Sequence, residues 1–338
     1  MARRLTLDYL KTESGSGLVP VGAAALAIVL ANSPASADYF AFIGAPFTIQ
    51  VGAFDETQSV FAWVKDALMA ILFLVVGMQV KFEVIRGELS SYRRLGLPVL
   101  AALGGAVAPA LVYLAFNVGP GGQPQAWPTA VVTDTAFALA ILSMAAPRMP
   151  SALRVFLMTL AMADNLAAVG LIAVLFAGKL HAAALAGAGV TLALLAVMGW
   201  WKRAPFAFYA AGFVLVWAFV LESGLNTSIA GVACAMTVPI GARRTGQESA
   251  LKFFMDSLHP YVAYGVLPLF AFCAAGFSLA GLSAPDLLGP APLGIAIGLA
   301  VGKPLGILAF CALAVALRIG RRPTGVTWLE LAGAASLA

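Results

Sequence analysis

Charged residues and cysteines are scarce in this chain. Lysine, arginine, aspartate and glutamate together make up only 10% of its 338 residues, and there are three cysteines and two histidines. Soluble domains carry about 25% charged residues, so this composition excludes a water-soluble globular protein. The cysteines, Cys234, Cys273 and Cys311, stand in separate apolar segments without the paired spacing of a metal or redox site, which indicates a packing role.

Long hydrophobic runs take the place of charge. Hydrophobic residues make up 62% of the chain, in runs separated by short polar breaks. Because a helix of about 20 residues crosses the hydrocarbon of a bilayer, the sequence predicts an all-α polytopic membrane protein. Ten complete spans are predicted, at residues 14–31, 59–80, 95–116, 127–146, 151–177, 182–201, 205–221, 225–240, 255–278 and 291–317. The segment TWLELAGAASLA at 327–338 predicts a partial eleventh span, of about half the necessary length.

Positive charges are concentrated on alternate connections between these spans. Of the 20 lysines and arginines, 17 fall in the N-terminal segment, in the connections after even-numbered spans or, in the case of Arg154, in the first turn of span five. Cytoplasmic loops retain positive charge, so both ends of the ten-span block are predicted to lie inside the cell. This asymmetry accounts for the net charge of +5, which therefore gives no support for nucleic-acid binding. We expect one transporter domain over residues 1–338, with its second half incomplete after about residue 317.

The longest outward connection runs from Asn32 to about Ser59. Apolar and polar residues alternate over 47–52 within it. This pattern predicts a strand and a small β-hairpin outside the membrane, with an irregular loop as the alternative.

Three ionisable residues lie deep inside predicted spans: Asp134 in span four, Asp164 in span five and Lys303 in span ten. An ionised side chain at the bilayer centre costs about 2.5 to 3.5 kcal/mol on the most lenient scale, so each must be neutralised, hydrated or paired. Asp164 and Lys303 both lie near the middle of their spans and therefore at the same depth. A salt bridge between them would relieve both desolvation penalties.

Such a pair is typical of a proton-linked cation carrier. A carboxylate that faces a cavity binds either H⁺ or a small hard cation, because both compete for the same oxygen lone pairs. Asp164 is therefore the predicted Na⁺ site, and Asn165 beside it offers a neutral amide oxygen. A permanent structural salt bridge is the alternative.

Two local patterns predict irregular helices around this pair. Thr133, Asp134 and Thr135 are consecutive polar residues in mid-span, which favours an unwound chain lining a wet cavity over an intact helix with back-bonded threonines. In span ten, glycines at every fourth position from 294 to 306 predict close approach of a neighbouring backbone. Pro304 predicts a kink beside Lys303 and biases that lysine away from helical geometry.

Other ionisable residues are candidates for the entrances of an ion path. Asp66, near the outer end of span two, is placed to draw cations toward an opening. Glu83, Lys252, Asp256 and His259 are candidates for a titrating cluster at the cytoplasmic mouth, where His259 has the unperturbed pKa closest to physiological pH. Ordinary solvated side chains are the alternative in both places.

Five motifs of this sequence resemble those of the NhaA family of bacterial Na⁺/H⁺ antiporters. DALMAILFLVVGMQVK, TDTAFALAILS, LRVFLMTLAMADN, LHPYVAYGVLPLFAF and GKPLGI stand in the family's order and spacing over nearly the whole chain. The resemblance implies inverted repeats with discontinuous helices, a homodimer joined through the outer hairpin, and the bacterial inner membrane. It also implies that Thr133 and Asp134 belong to an unwound crossing, and that Asp164 pairs with Lys303.

The chain departs from the family pattern at several positions. The family carries two adjacent aspartates where this chain has Asp164 and Asn165, and the family exchanges two protons for each Na⁺. Gln79, Phe82, Met255 and Asp256 stand where the family has Glu, Arg, Glu and His.

The resulting prediction is a secondary transporter that exchanges Na⁺ or Li⁺ for H⁺ and contributes to pH and sodium homeostasis. A truncated or degenerate relative that transports nothing is the alternative, because of Asn165 and the short eleventh span. Enzyme motifs such as a Ser-His-Asp triad or a phosphate-binding glycine loop are absent from the sequence, so no enzyme activity and no cofactor are expected.

Overall fold

Helices dominate the structure, a computed structural model that describes residues 13–51, 54–87, 92–131, 181–200, 205–241, 249–320, 322 and 325–336, with the pairs 152–153, 156–157, 159–160 and 163–164. The chain forms two compact units. Unit 1 consists of Met1–Gly15, Glu83–Leu171 and Gly281–Ala338, and unit 2 consists of Ser16–Phe82 and Ile172–Ala280.

The described elements follow one another along the chain as follows. The first half holds α1 (Glu13–Ala31), α2 (Ser36–Gly44), β1 (Pro46–Val51), β2 (Phe54–Ser59), α3 (Val60–Trp63), a π-helical turn π1 (Val64–Leu68), α4 (Met69–Arg86), α5 (Tyr92–Asn117) and a 3₁₀ helix (Pro124–Ala130). The second half holds α6 (Ala182–Trp200), α7 (Phe206–Glu222), α8 (Ser228–Thr237), α9 (Ala250–Tyr261), π2 (Val262–Val266), α10 (Leu267–Ala275), α11 (Ala284–Leu287), α12 (Pro290–Ile297), π3 (Gly298–Gly302), α13 (Lys303–Ala316) and α14 (Trp328–Ala335).

Five helical segments of the described part are long and apolar enough to cross a membrane. They are Val60–Arg86, Gly96–Asn117, Ala182–Trp200, Ala250–Ala275 and Pro290–Ala316, and the bent pair Leu18–Ala31 and Ser36–Gly44 qualifies only if it is one span. These segments confirm a multi-pass helical membrane protein. The total of ten spans stays a prediction, because much of predicted spans four and five lies outside the described residues, and α7 and α8 are shorter apolar helices.

The predicted hairpin is present in unit 2. Strands β1 and β2 pair antiparallel in a register that runs from Pro46 opposite Ser59 to Val51 opposite Phe54. The hydroxyl oxygens of Thr48 and Thr57 lie 2.8 Å apart across the pair. The irregular-loop alternative was therefore wrong for these residues.

The core of unit 2 lies where α4 crosses α8. A Cβ on Gly231 of α8 would collide with the carbonyl oxygen of Ala70, and one on Gly77 of α4 would lie 2.8 Å from the Cβ of Ala235. Because neither glycine has a side chain, the two backbones come into contact. Residues of α6, α7 and α9, including Leu195, Val216 and Leu251, complete this core.

The core of unit 1 is built on the pairing of α5 with the segment formed by α12, π3 and α13. A Cβ on Gly306 would collide with the carbonyl oxygen of Gly104, and one on Gly302 would lie 3.1 Å from the Cα of Pro109. The predicted close approach along the glycine face of span ten is thus confirmed. Helix α14 joins the same core through Leu331 and begins with a capping box, in which Thr327 and Glu330 exchange side-chain and backbone hydrogen bonds.

The structure corrects the prediction that Pro304 moves Lys303 away from helical geometry. Lys303 has helical angles, φ −65° and ψ −50°, and its backbone N–H donates to the carbonyl oxygen of Gly298, five residues back. Proline has no N–H to give the carbonyl four residues before it, and its ring crowds that carbonyl, so a wider π turn before it relieves the conflict. The same arrangement recurs before Pro268, where Leu267 donates to Val262.

The glycine contact in unit 1 predicts a large effect from one methyl group. Gly306→Ala places that methyl against the backbone of α5 and 2.5 Å from the Cβ of Ala108, where neither neighbour moves independently of its helix. We expect the free energy of unfolding to fall by about 1 to 3 kcal/mol, measured by thermal unfolding of the purified protein in detergent. Gly22→Ala in α1, where nothing lies within 4 Å, is the control and should lose no stability. Equal melting temperatures for the two variants would contradict this packing.

Candidate ion-binding site

Asp164 and Lys303 meet inside unit 1. The Lys303 Nζ donates a hydrogen bond of 2.7 Å to Asp164 Oδ2, and only 4% of the lysine side chain and 10% of the aspartate side chain are exposed. The predicted ion pair is therefore present. Burial makes each charge depend on the other, because removal of one partner leaves an uncompensated charge in a low-dielectric surrounding. A role of this pair in binding ions stays a prediction.

A backbone carbonyl supplies a second acceptor for the lysine. Lys303 Nζ also donates to the carbonyl oxygen of Val131 over 3.0 Å. Val131 directly follows the 3₁₀ helix and is the last residue of the described range 92–131. The predicted unwound crossing at Thr133 and Asp134 lies outside the described residues, and so does Asn165.

The stem of Lys303 passes beside a glycine of α5. A Cβ on Gly105 would lie 3.7 Å from Lys303 Cε and 3.1 Å from Ile307 Cγ1. A methyl group at position 105 would therefore be tight against Ile307 and in ordinary van der Waals contact with the lysine stem. Sequence reasoning missed both Gly105 and Val131, although the Gly104-Gly105 pair in an apolar span was an available signal for close packing.

Three of the four candidates for a cytoplasmic cluster lie on one face of α9 in unit 2. Lys252 is half-buried, whereas Asp256 and His259 are exposed, and their spacing places them on successive turns. Asp256 and His259 fall within predicted span nine, whereas Lys252 precedes it; the structure places all three in α9, which begins at Ala250, where the Ser249 side chain accepts a hydrogen bond from the Lys252 N–H. Glu83 lies on α4, in the part assigned to unit 1.

Asp66, the other entrance candidate, lies in π1 of unit 2. Its side chain is half-buried, and its backbone carbonyl accepts a hydrogen bond of 3.0 Å from the indole N–H of Trp217. This bond ties π1 to α7. Whether the carboxylate attracts cations stays a prediction.

The side chain of Lys81, the residue directly after predicted span two, binds the end of α8. Its Nζ donates to the carbonyl oxygens of Met236 and Val238, each over 2.6 Å, at the C-terminal end of α8. A helix ends in carbonyl groups that lack helical donors and carry partial negative charge, so a lysine there is favourable. Lys81 therefore ties the end of the short helix α8 to α4.

The three cysteines are free and buried, in agreement with the packing role. Cys311 belongs to the core of unit 1 and Cys234 to the core of unit 2. Among the residues that the structure describes, no group of three or more His, Cys, Asp or Glu side chains is placed to hold a metal ion.

The buried pair predicts strong coupling between two substitutions. Lys303→Leu should lower the free energy of unfolding by about 3 to 5 kcal/mol, because Asp164 then remains buried without its counter-charge. The double variant Asp164→Asn, Lys303→Leu should recover much of this loss, since neither residue of the pair then carries a charge. Unfolding of the wild type, both single variants and the double variant in mixed detergent micelles measures the coupling. Additive single effects would show that the two side chains do not interact.

Comparison with known proteins shows the family of the chain. The family model described as Na⁺/H⁺ antiporter 1 matches residues 7–338. The Na⁺/H⁺ antiporter NhaA 1 of Syntrophotalea carbinolica is 42% identical over 330 residues, which cover 98% of this chain and 83% of that protein. The Na⁺/H⁺ antiporters NhaA of Pasteurella multocida (40% over 324 residues, 96% and 85%) and Escherichia coli (39% over 324 residues, 96% and 83%) are similarly close. The chain therefore belongs to the Na⁺/H⁺ antiporter 1 family.

Proposed function

We propose that this protein is a secondary transporter that exchanges Na⁺, or Li⁺, for H⁺ across a membrane and so contributes to pH and sodium homeostasis. The observation that carries the proposal is the buried pair of Asp164 and Lys303 in a chain whose relatives are named Na⁺/H⁺ antiporters. Nothing in these relatives favours the alternative of a non-transporting protein. The ions are substrates, and the exchange requires no cofactor and no covalent chemistry.

The exchange follows from competition for one carboxylate. Asp164 accepts a proton, a Na⁺ ion or the ammonium of Lys303, because all three are attracted to the same oxygen atoms. An arriving Na⁺ displaces the ammonium from Asp164, and the Val131 carbonyl, which accepts a hydrogen bond from Lys303 in the structure, offers the displaced lysine an acceptor. A proton arriving from the other side releases the Na⁺. Since the carboxylate holds one of these ions at a time, movement of one ion is coupled to movement of the other.

The remaining parts of the site are proposed from their positions in the sequence. Thr133, Asp134 and Asn165 are proposed as further ligands or hydrogen-bonding groups for the ions. For the two entrances we propose the acidic and basic side chains already described, namely Asp66 on one side and Glu83, Lys252, Asp256 and His259 on the other.

We also propose the arrangement of the chain in the membrane. The basic connections support a bacterial inner-membrane protein with a cytoplasmic N terminus. The hydrophobic runs support one transporter domain with ten complete spans, a partial eleventh, and inverted repeats with discontinuous helices. The hairpin of β1 and β2 has free strand edges among the described residues, which supports a homodimer joined there.

Proton gradients in everted membrane vesicles test the exchange. Respiration acidifies the vesicle interior, and added Na⁺ or Li⁺ should dissipate the pH gradient when the protein is present. Asp164→Asn should abolish this response, because an amide binds neither a proton nor Na⁺ with comparable strength. The response is followed with a pH-sensitive dye, and the amount of each protein is compared on immunoblots. Equal dissipation by the wild type and Asp164→Asn would refute the proposal.

Asp164 followed by Asn165 provides one carboxylate where the family has two adjacent aspartates, and this difference predicts the stoichiometry. One carboxylate that binds either one proton or one Na⁺ exchanges them one for one, so no net charge crosses the membrane. The initial rate in proteoliposomes should therefore be unchanged by a potassium diffusion potential imposed with valinomycin. If two protons moved for each Na⁺, the same potential would change the driving force by about 2.3 kcal/mol per 100 mV and alter the rate.

A further inference from the structure

Two buried side chains of α5 hold the segment that leads to the second acceptor of Lys303. The Tyr113 hydroxyl donates to the carbonyl oxygen of Gln123 over 2.8 Å, and the Gln123 N–H donates to Asn117 Oδ1 over 3.1 Å. Tyr113 and Asn117 are both fully buried. Both backbone groups of Gln123 are thus bound to α5 immediately before the 3₁₀ helix begins.

The 3₁₀ helix that follows is short and constrained. It spans seven residues, Pro124–Ala130, and Pro124 and Pro128 restrict its backbone angles. Pro128 and Ala130 are buried, and a Cβ on Gly298 of π3 would lie 3.4 Å from the Cβ of Ala130. Val131 follows directly, and its carbonyl oxygen accepts the hydrogen bond from Lys303. A displacement of Gln123 therefore reaches this carbonyl along a short 3₁₀ helix in which two prolines restrict the backbone.

Asn117 also holds the helix that carries the lysine. Its Nδ2 donates to the carbonyl oxygen of Pro290, the first residue of α12, over 2.9 Å, and to that of Tyr113 over 2.9 Å. A Cβ on Gly294 would lie 2.5 Å from this nitrogen, so the glycine leaves space for the amide. Asn117 thus binds one end of the segment that carries the acceptor and one end of the segment that carries the donor.

We propose that Tyr113 and Asn117 are positioning residues for ion exchange, which place the Val131 carbonyl under Lys303 and thereby set how readily Na⁺ displaces the lysine from Asp164. The inference rests on the proposed function. Before displacement the acceptors of the ammonium among the described residues include the Asp164 carboxylate and the Val131 carbonyl. After displacement the Val131 carbonyl still offers an acceptor to the ammonium, so its position affects the free energy of the Na⁺-bound state.

This role differs measurably from a purely structural one. Loss of general stability reduces the amount of active transporter and lowers the maximal rate, while the apparent KM for Na⁺ stays the same. A displaced Val131 carbonyl instead raises the cost of Na⁺ binding at each site, which raises the apparent KM.

Tyr113→Phe is the decisive variant because it removes only the hydroxyl. We expect an apparent KM for Na⁺ about three- to tenfold higher than that of the wild type, the range expected from loss of one hydrogen bond, with a maximal rate within about twofold. Tyr39→Phe is the matched control. It removes a hydroxyl that donates to the carbonyl oxygen of Phe272 over 2.6 Å in unit 2, and its KM should equal that of the wild type.

Exchange is measured in everted vesicles at one pH over a series of Na⁺ concentrations, with Asp164→Asn as the blank. Equal KM values for Tyr113→Phe and Tyr39→Phe, or a fall in maximal rate alone, would overturn the positioning role. Absence of exchange by the wild type above the blank would instead refute the proposed function. Asn117→Ala should raise KM at least as much, and Tyr113→Phe still decides the question if that variant fails to fold.

Discussion

The cost of placing charges away from water governs the arrangement of unit 1. Lys303 belongs to a segment apolar enough to span a membrane, and its ammonium is compensated by the Asp164 carboxylate and the Val131 carbonyl. Each acceptor comes from a different part of the chain, so the segments that carry them must converge on the lysine. The close backbone contacts at Gly306 and Gly302 allow this convergence, because larger side chains would hold α5 away from α12, π3 and α13.

The same interaction suits a carrier because a buried salt bridge is finely balanced. Its Coulombic attraction is largely offset by the desolvation of both ions, so its net contribution to stability is small compared with either term. An ion that replaces the ammonium on Asp164 therefore faces a modest barrier, provided that the ammonium retains another acceptor. In the proposed exchange, Val131 supplies such an acceptor without a charge of its own, so the lysine keeps a hydrogen bond to the protein when it leaves the carboxylate.

Much of this arrangement was predictable because the membrane imposes simple patterns on a sequence. Predicted spans 95–116, 182–201 and 291–317 begin and end within two residues of the observed segments. Long apolar runs leave little choice in where a membrane-crossing helix begins and ends. Period-two alternation over 47–52 indicated the hairpin, and the rarity of charge in mid-span singled out Asp164 and Lys303. Errors arose where local chemistry decided the outcome, as at Ser249, whose side chain caps α9 and starts the helix five residues before the predicted span.

The sequence by itself determined the class of protein, the hairpin and the two charged residues that must find partners, because hydropathy and isolated charges are properties of the residues themselves. Only the tertiary structure decided which groups complete the site. The Val131 carbonyl belongs to a backbone that every residue shares, and it meets Lys303 across 172 positions of sequence. The proposed role of Tyr113 and Asn117 likewise depends on packing, which brings Gln123 and Pro290 within hydrogen-bonding distance of their side chains. Such hydrogen bonds leave no local pattern, since they depend on how the helices are placed in space.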